Sequence, residues 1–315
     1  MAPAGRGWRG RRRGDGVLAA LPLLLASLIV GHGAVPNGPG RLGSLLETFL
    51  PWLGLGVPLL AGLALLRRSG VGLCSPLVAA AVWFAVFGSP PVPDGGSPYD
   101  LVVVQHNVSD TNADPRGTAR QLSSAGGDVI ALQEVTPSLL PEFGAALGEV
   151  YPHHVSFGTV GLWSRFPLTD ARRIDIRPAD LGDDWDRGLR ATARTPHGDV
   201  AVYVAHLPSL RLGPSGFGSA RRDESAALLG AALAAERLDR VVLAGDLNGT
   251  LDDRGLAPLT SRLNTPESGL AFSWPQRFPL ARIDQVLARS AKVLNVRTLP
   301  ATGSDHLPLA ARIRF

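Results

Sequence analysis

Three stretches of the chain, residues 17–35, 48–66 and 69–88, contain no Asp, Glu, Lys or Arg, and all three lie in the first ninety residues. Each is close to the ~20 residues that a helix rising ~1.5 Å per residue needs to cross a ~30 Å hydrocarbon layer. A water-soluble domain rarely opens with three such runs, so the expected structure of residues 1–88 is three transmembrane helices rather than three core helices. The first run has an alternative. Its strongly apolar part, 17–30, is short and follows Arg9, Arg11, Arg12 and Arg13, a pattern shared with cleaved signal peptides.

The arginines set an orientation, because basic residues near membrane ends stay on the cytoplasmic side. Arg6 to Arg13 precede the first run, only Arg41 separates the first from the second, and Arg67 and Arg68 separate the second from the third. That order reads in, out, in, out. The remaining chain is then expected outside the cytoplasm, on a multi-pass protein of the cell membrane, joined by the Pro/Gly/Ser linker at residues 89–97. Of the 31 basic and 27 acidic residues, eight arginines and three acids lie before residue 97, which leaves 23 and 24 for the remainder. A domain with a balance of −1 has no overall attraction for polyanions. The single cysteine, Cys74, excludes a disulfide-stapled scaffold and a cysteine-based metal site.

From Asp100 the pattern changes. Short apolar runs rich in β-branched residues, at 101–104, 129–132, 200–205 and 241–244, have strand length and no polar alternation, as in strands covered on both faces. Further strands are expected at 161–164, 189–193, 282–287 and 308–313. Asp114 and Pro115 form an N-cap and first-turn pair for a helix over 116–124, and Ser219 is placed to cap a helix over 220–236 with Leu228, Leu229 and Leu233 on one face. The expectation for residues 98–315 is a mixed α/β domain.

Polar side chains interrupt these runs at their ends. Asn107 closes V-V-V-Q-H-N-V, Glu134 follows D-V-I-A-L-Q, His206 ends V-A-V-Y-V-A-H, and Asp246 and Asn248 end V-V-L-A-G-D-L-N; Asp284 lies inside A-R-I-D-Q-V-L, and Asp305 and His306 lie in G-S-D-H-L-P. Each has a plain structural reading alone, since an Asn after a strand is commonly a turn residue and G-D-L-N can form an Asx-turn. An unpaired Asp inside an apolar strand costs several kcal/mol, so Asp284 requires a partner, and an imidazole would serve. Together, carboxylates, amides and two histidines at strand ends suit a hard, oxygen-bound cation beside a phosphate.

In their order N…LQE…HL…GDxN…RID…SDH, the motifs resemble the endonuclease/exonuclease/phosphatase family, the DNase I-like fold, over about Asp100 to Phe315. The resemblance implies a four-layer α/β sandwich of two mixed sheets flanked by helices, here preceded by three transmembrane helices. It also implies Mg²⁺-dependent phosphoester hydrolysis, with Mn²⁺ as an alternative ion. By position, Glu134 matches the principal metal ligand, with Asn107 and Asp305 beside it. Asp246 and Asn248 match the pair that orients the attacking water and the phosphate. Asp284 and His306 match a carboxylate–histidine pair, and His206 matches a second histidine that stabilises phosphoryl oxygens or protonates the leaving group. The proton acceptor is either Asp246 or the Asp284–His306 pair.

The layout resembles a membrane-anchored bacterial branch, the VanJ-type proteins, and the expected substrate is a phosphorylated lipid or cell-envelope precursor. A tethered extracellular nuclease is the alternative; it needs a local basic groove, for which Arg165, Arg187, Arg190, Arg221 and Arg222 are available. A non-catalytic membrane-binding module is a third reading, against which the complete motif set counts. The segment 180–190, with Asp183, Asp184, Trp185 and Asp186, is either a substrate-facing loop or a solvated turn. No protein partner is inferable.

Overall fold

The computed structural model describes residues 6–88, 98–214, 216–267 and 269–315, and the linker expected at 89–97 lies outside them. Two compact units are present, Met1–Ser89 and Pro90–Phe315.

In the first unit, helix α1 (Arg6–Gly31) is followed by α2 (Leu42–Thr48), α3 (Gly56–Leu66) and α4 (Gly70–Phe87). The segment Gly14–Ala34, 21 residues, is the one unbroken helix long and apolar enough to cross a membrane among the described residues. The second apolar run is not a straight rod: Leu42–Thr48 and Leu50–Leu66 meet at 71°, beside Pro51, which has no N–H to continue a helical ladder. The third begins where the Ser69 side chain accepts from the Gly72 N–H, and its apolar helix, Gly72–Phe87, is shorter than a full span. Leu24, Val30, Leu59, Leu66, Leu77 and Phe84 are all exposed. Glu47 is the buried carboxylate among the described residues of this unit, its oxygen 3.2 Å from His32 Nδ1.

The second unit runs β1 (Leu101–Asn107), α5 (Pro115–Ser124), β2 (Val129–Gln133), α6 (Leu140–Leu147), β3 (His153–Phe157), β4 (Val160–Ser164), β5 (Leu168–Arg173), β6 (Gly188–Thr195), β7 (Gly198–His206), β8 (Leu212–Gly213), β9 (Gly216–Phe217), α7 (Ala220–Ala234), β10 (Val241–Asp246), α8 (Ala257–Thr260), β11 (Asp284–Arg289), β12 (Lys292–Thr298) and β13 (Leu309–Arg314). Two mixed sheets result, ordered β12-β13-β1-β2-β4-β3 and β11-β10-β7-β6-β5, with β8 and β9 as a small separate ribbon.

Strand parity explains why the apolar runs show no alternation. Val103 in β1, Val129 and Ala131 in β2, Val202 and Val204 in β7, and Val242 and Ala244 in β10 share one core, between the sheets. Their alternate neighbours point outward: Ile130 and Leu132 pack with Leu122 of α5 and Phe143 of α6, while Tyr203 and Leu243 pack with Leu229 and Leu233 of α7. The layers are therefore helix, sheet, sheet, helix, and each fully buried Val or Leu contributes about 1.5–3 kcal/mol.

Helix α5 starts as the sequence predicts, with Asp114 Oδ1 accepting from the Gly117 N–H at 2.8 Å and Pro115 in its first turn. Helix α7 ends at Ala234, two residues early, and buries Arg222, Ala226, Leu229 and Leu233; Leu228, expected on that face, is exposed. One residue is a turn of about 100° on a helix, enough to carry Leu228 out of the stripe. His153 and His154 lie in the edge strand β3, which the apolar runs do not announce because its half-exposed pattern hides it from such a search.

Candidate active site

The inter-sheet core becomes polar at one end, along the parity that made it apolar. In β1, the face carrying Leu101 and Val103 continues with Gln105 and Asn107; in β7 Val204 is followed by His206; in β10 Ala244 is followed by Asp246; in β11 Val286 is preceded by Asp284. Asp246 pairs in register with His206 on the parallel strand β7 and with Asp284 on the antiparallel strand β11. Three adjacent strands thus set three polar side chains side by side, and β1 and β2 supply Asn107 and Glu134 from the facing sheet.

The distances make one constellation. Asn107 Nδ2 donates to Glu134 Oε1 and to Asp246 Oδ2, each at 3.1 Å. His306 Nδ1 is 2.8 Å from Asp284 Oδ2, and its Nε2 faces Asp246 Oδ2 at 3.8 Å. His206 Nε2 lies 3.6 Å from the same Asp246 oxygen and 3.9 Å from Glu134 Oε1. The Asn248 backbone N–H donates to Asp246 Oδ1 at 2.9 Å, and its Nδ2 donates to the Leu207 carbonyl. Asp305 is exposed and lines, with Glu134 and Asp110, an adjoining cleft of about 930 Å³. The residues predicted from the strand ends are therefore brought together, with Asp305 at the mouth.

Burial sets the charges. It pushes His306 down, but Asp284 and Asp246 overcome it and raise the imidazole to about 10. Burial likewise favours the neutral form of Asp284, yet the charge and hydrogen bond of His306, with donors from Ser273 and Gln105, hold this carboxyl below its ordinary value. Asp246 is raised, first by burial and then by Asp284, against the opposing His306. His206 is driven well below its ordinary value by burial, Arg187 and His306. Near neutral pH the site holds an ionised Asp284, a protonated His306 and a neutral His206.

Backbone conformation marks the same residues. Glu134 and Asn248 have φ of 60° and 46°, the left-handed region that non-glycine residues rarely enter. Such conformations cost about 1–3 kcal/mol each and persist where surrounding contacts fix them. For Asn248 one such contact is Arg222, fully buried, whose Nη1 donates to the Asn248 carbonyl at 3.1 Å and whose Nη2 donates to Asp253 at 2.6 Å. Gly249 leaves room for that guanidinium, and Gly245 lies so close to the Ala205 carbonyl that a methyl there would overlap it. Close approach explains both glycines of G-D-L-N-G.

Sequence reasoning missed several contributors. Gln105 is completely buried and bridges the sheets, its Nε2 donating to Asp284 Oδ1 at 3.0 Å and to Gln133 Oε1 at 2.6 Å. Its signal was available, because it shares the parity of Asn107 inside an otherwise apolar strand. Ser304 donates to the Asn107 carbonyl and accepts from the His306 N–H, tying the last loop to β1. Arg187, named from the sequence only as a groove candidate, places Nη1 3.1 Å from His206 Nδ1. The arginine set expected to form a basic groove divides: Arg222 is buried with Asp253, Arg190 is buried with Glu236, and Arg187 and Arg221 line one cavity.

The donors suit a hard cation. Glu134 and Asp305 at the cleft and Asp246 beside it offer carboxylate oxygens, the ligand type of Mg²⁺, and Asn107 would join them by turning toward the ion its Oδ1, which accepts from the Ser109 N–H. Asp246, Asp284 and His306 also bring one ligand atom each within 4.8 Å of the others. There, however, Asp284 and His306 already satisfy each other, which leaves the Glu134 side as the better-fitting position.

Residues 95–306 match the model of the endonuclease/exonuclease/phosphatase family. The chain belongs to that family and is a phosphoester hydrolase. Its fold is similar to that of sphingomyelinase C from Streptomyces griseocarneus, at 19% identity and a TM-score of 0.51, covering 69% of this chain and 99% of that one. A mannosyl-6-phosphatase from Bacteroides thetaiotaomicron matches with a TM-score of 0.56 at 17% identity, covering 68% of this chain and 100% of that one. A Staphylococcus aureus beta toxin mutant with bound magnesium ions matches with a TM-score of 0.51 at 15% identity, covering 68% and 99%. No curated protein compared with the sequence matches it.

Proposed function

We propose that this chain is a Mg²⁺-dependent phosphoester hydrolase anchored in the cell membrane by residues 1–88. Its domain 98–315 lies outside the cytoplasm and acts on a phosphorylated lipid or cell-envelope precursor. The observation that carries the chemistry is the single rung Asp284–Asp246–His206, with His306 and Glu134 converging on it from other segments. Glu134, Asn107 and Asp305 would hold the ion, which would neutralise the negative phosphoryl oxygens that otherwise repel a nucleophile. The beta toxin with magnesium ions supports that choice.

The side chains divide the remaining work. Asp246, raised toward neutrality by burial, accepts the proton of the attacking water, and Asn248 orients water and phosphate beside it. His306, kept protonated by Asp284, presents a cationic N–H to the phosphoryl oxygens. His206, neutral and backed by Arg187, offers a second donor on the opposite side of Asp246. A base of raised pKa beside an imidazolium of raised pKa favours Asp246 over the Asp284–His306 pair as proton acceptor.

The anchoring reading rests on the exposed apolar surface of α1, α3 and α4 and on the arginine order, with the bent segment as the second crossing and α4 as the third. The layout is that of the VanJ-type branch. The nuclease alternative loses support from Arg190 and Arg222, whose charges are committed inside the protein. The test is a panel: full-length protein in detergent with Mg²⁺, assayed against a phospholipid, a lipid-linked pyrophosphate and plasmid DNA. Turnover of a lipid substrate, lowered ~10²–10⁴-fold in Glu134→Ala and His306→Ala, is the expected result. Turnover of DNA alone would reject the lipid assignment, and wild-type rates in both variants would reject the site. A reporter fused after Phe315 should be active only outside the cytoplasm.

A further inference from the structure

Beyond the catalytic rung, a second cavity of about 530 Å³ opens between the segment preceding β6 and the loop joining β7 to α7. Its relation to the site is set by Arg187. This side chain contacts His206 through Nη1, stacks its guanidinium 5.2 Å from the centre of the Trp185 ring, and lines the cavity with Trp185, Leu181 and Pro208. The cavity is therefore linked to His206 through Arg187, which lines it, and continues along apolar surface. At its rim stand two further arginines of different status. Arg221 is bound by Asp180, with Nε and Nη2 both 2.8 Å from one carboxylate oxygen. Arg211 is exposed, and its guanidinium has no ion-pair partner among the described residues.

The acidic and basic sides of the site are thus separated. Glu134, Asp110 and Asp305 line the cleft on one side, and Arg187 and Arg211 line this cavity on the other. A substrate whose phosphate sits at Asp246 extends its non-reacting portion over Trp185 and Pro208, where water is displaced from apolar surface, and ends at Arg211. From this arrangement we infer that the cavity is a subsite for the non-reacting part of the substrate, selecting phosphoesters that carry a second anionic group beyond a short apolar segment. The inference rests on the hydrolase reading above and specifies its substrate class. Arg187 serves both regions, while Arg211 touches nothing in the catalytic rung and governs selection alone.

The test compares three small phosphates with one six-carbon chain: hexyl phosphate, hexane-1,6-diyl bisphosphate and 6-aminohexyl phosphate, with full-length protein in detergent and Mg²⁺. The bisphosphate should have a KM about tenfold below that of hexyl phosphate, the factor that ~1.4 kcal/mol supplies, at similar kcat, and the amine should be the poorest. Arg211→Ala should erase this ranking while leaving hexyl phosphate turnover unchanged, and Arg211→Glu should invert it. Equal KM values in the wild type, or a ranking that survives Arg211→Ala, would overturn the subsite. Calorimetric titration of the bisphosphate and hexyl phosphate into wild type and Arg211→Ala reads the same preference without turnover. Hydrolysis of none of the three, with Arg211-dependent binding intact, would therefore count against the hydrolase reading and not the subsite. Stronger Arg211-dependent competition by trithymidylate than by the bisphosphate would reject the alkyl-spaced class.

Discussion

Replacing Gly245 by alanine tests whether the site depends on the spacing of β7 and β10. The added methyl would overlap the Ala205 carbonyl oxygen, and the obstacle is backbone on a central strand rather than the end of a flexible side chain. Relief requires the two strands to part by roughly 1 Å, an overpacking change of the kind that costs about 1–3 kcal/mol. In a unit of this size ~1 kcal/mol lowers Tm by about 2–4 °C, so a fall of about 2–12 °C is expected. The displaced strand carries His206, which faces Asp246 across the gap, and a ~1 Å misplacement of a reacting group costs about 10²-fold in rate. Thermal unfolding and hydrolysis of bis(p-nitrophenyl) phosphate with Mg²⁺ added measure the two effects, with kcat falling more than KM changes. Gly144→Ala in α6 is the matched control, because a methyl there meets nothing within 4 Å; helix propensity makes it stabilising by about 1 kcal/mol, with activity retained. Wild-type Tm and kcat in Gly245→Ala would refute the reasoning.

Asp284→Asn removes the carboxylate that holds His306 protonated, so the imidazole should titrate well below its wild-type value of about 10, as read by NMR of its ring protons. With the folded value raised above the ordinary 6.5, the imidazolium's contribution to stability is complete below pH 6.5 and disappears as pH rises through about 10. The Tm gap between wild type and this variant should close over that interval, and a gap constant from pH 6 to 10 would contradict the pairing. Glu236 lies outside the site and accepts from Arg190, the Tyr203 hydroxyl and the Leu238 N–H; burial opposes ionisation, but these donors hold it at about 2. Its contribution is therefore full above pH 4.5 and lost as pH falls toward 2. Glu236→Gln should lose about 3–5 kcal/mol at pH 7 by stranding buried Arg190 and keep wild-type kcat; loss of activity at a temperature where it remains folded would show an unrecognised link to the site. Arg222→Leu should cost about 3–5 kcal/mol by leaving Asp253 buried and unpaired, and should lower kcat by releasing the Asn248 carbonyl, measured in the same phosphodiester assay.

The main strands were legible because burial on both faces leaves an uninterrupted apolar run, as in Val241 to Ala244, and the site was legible because polar residues end those runs. What escaped did so for physical reasons. Edge strand β3 and the exposed strand β5 carry histidines and arginines on open faces, so no apolar period announces them. Gln105 looked like part of a strand, and only its shared parity with Asn107 separates a sheet-bridging amide from a tolerated polar residue. Arg190, Arg211 and Arg222 are indistinguishable in sequence, yet one is paired with Glu236, one is exposed and one is sealed beneath Asn248. The fate of a cation depends on what folding brings opposite it, which spacing along the chain does not encode.

The rung linking Asp284, Asp246 and His206 also constrains how the enzyme can come into being. A slip of β10 by a single position would turn Asp246 toward the helix layer and present Gly245 or Leu247 in its place, since successive side chains alternate between faces. On the proposed mechanism, catalytic competence would act as a proofreading signal for strand alignment: misaligned chains would be silent, and the first turnover by a newly folded molecule would report that both neighbours of β10 have docked correctly.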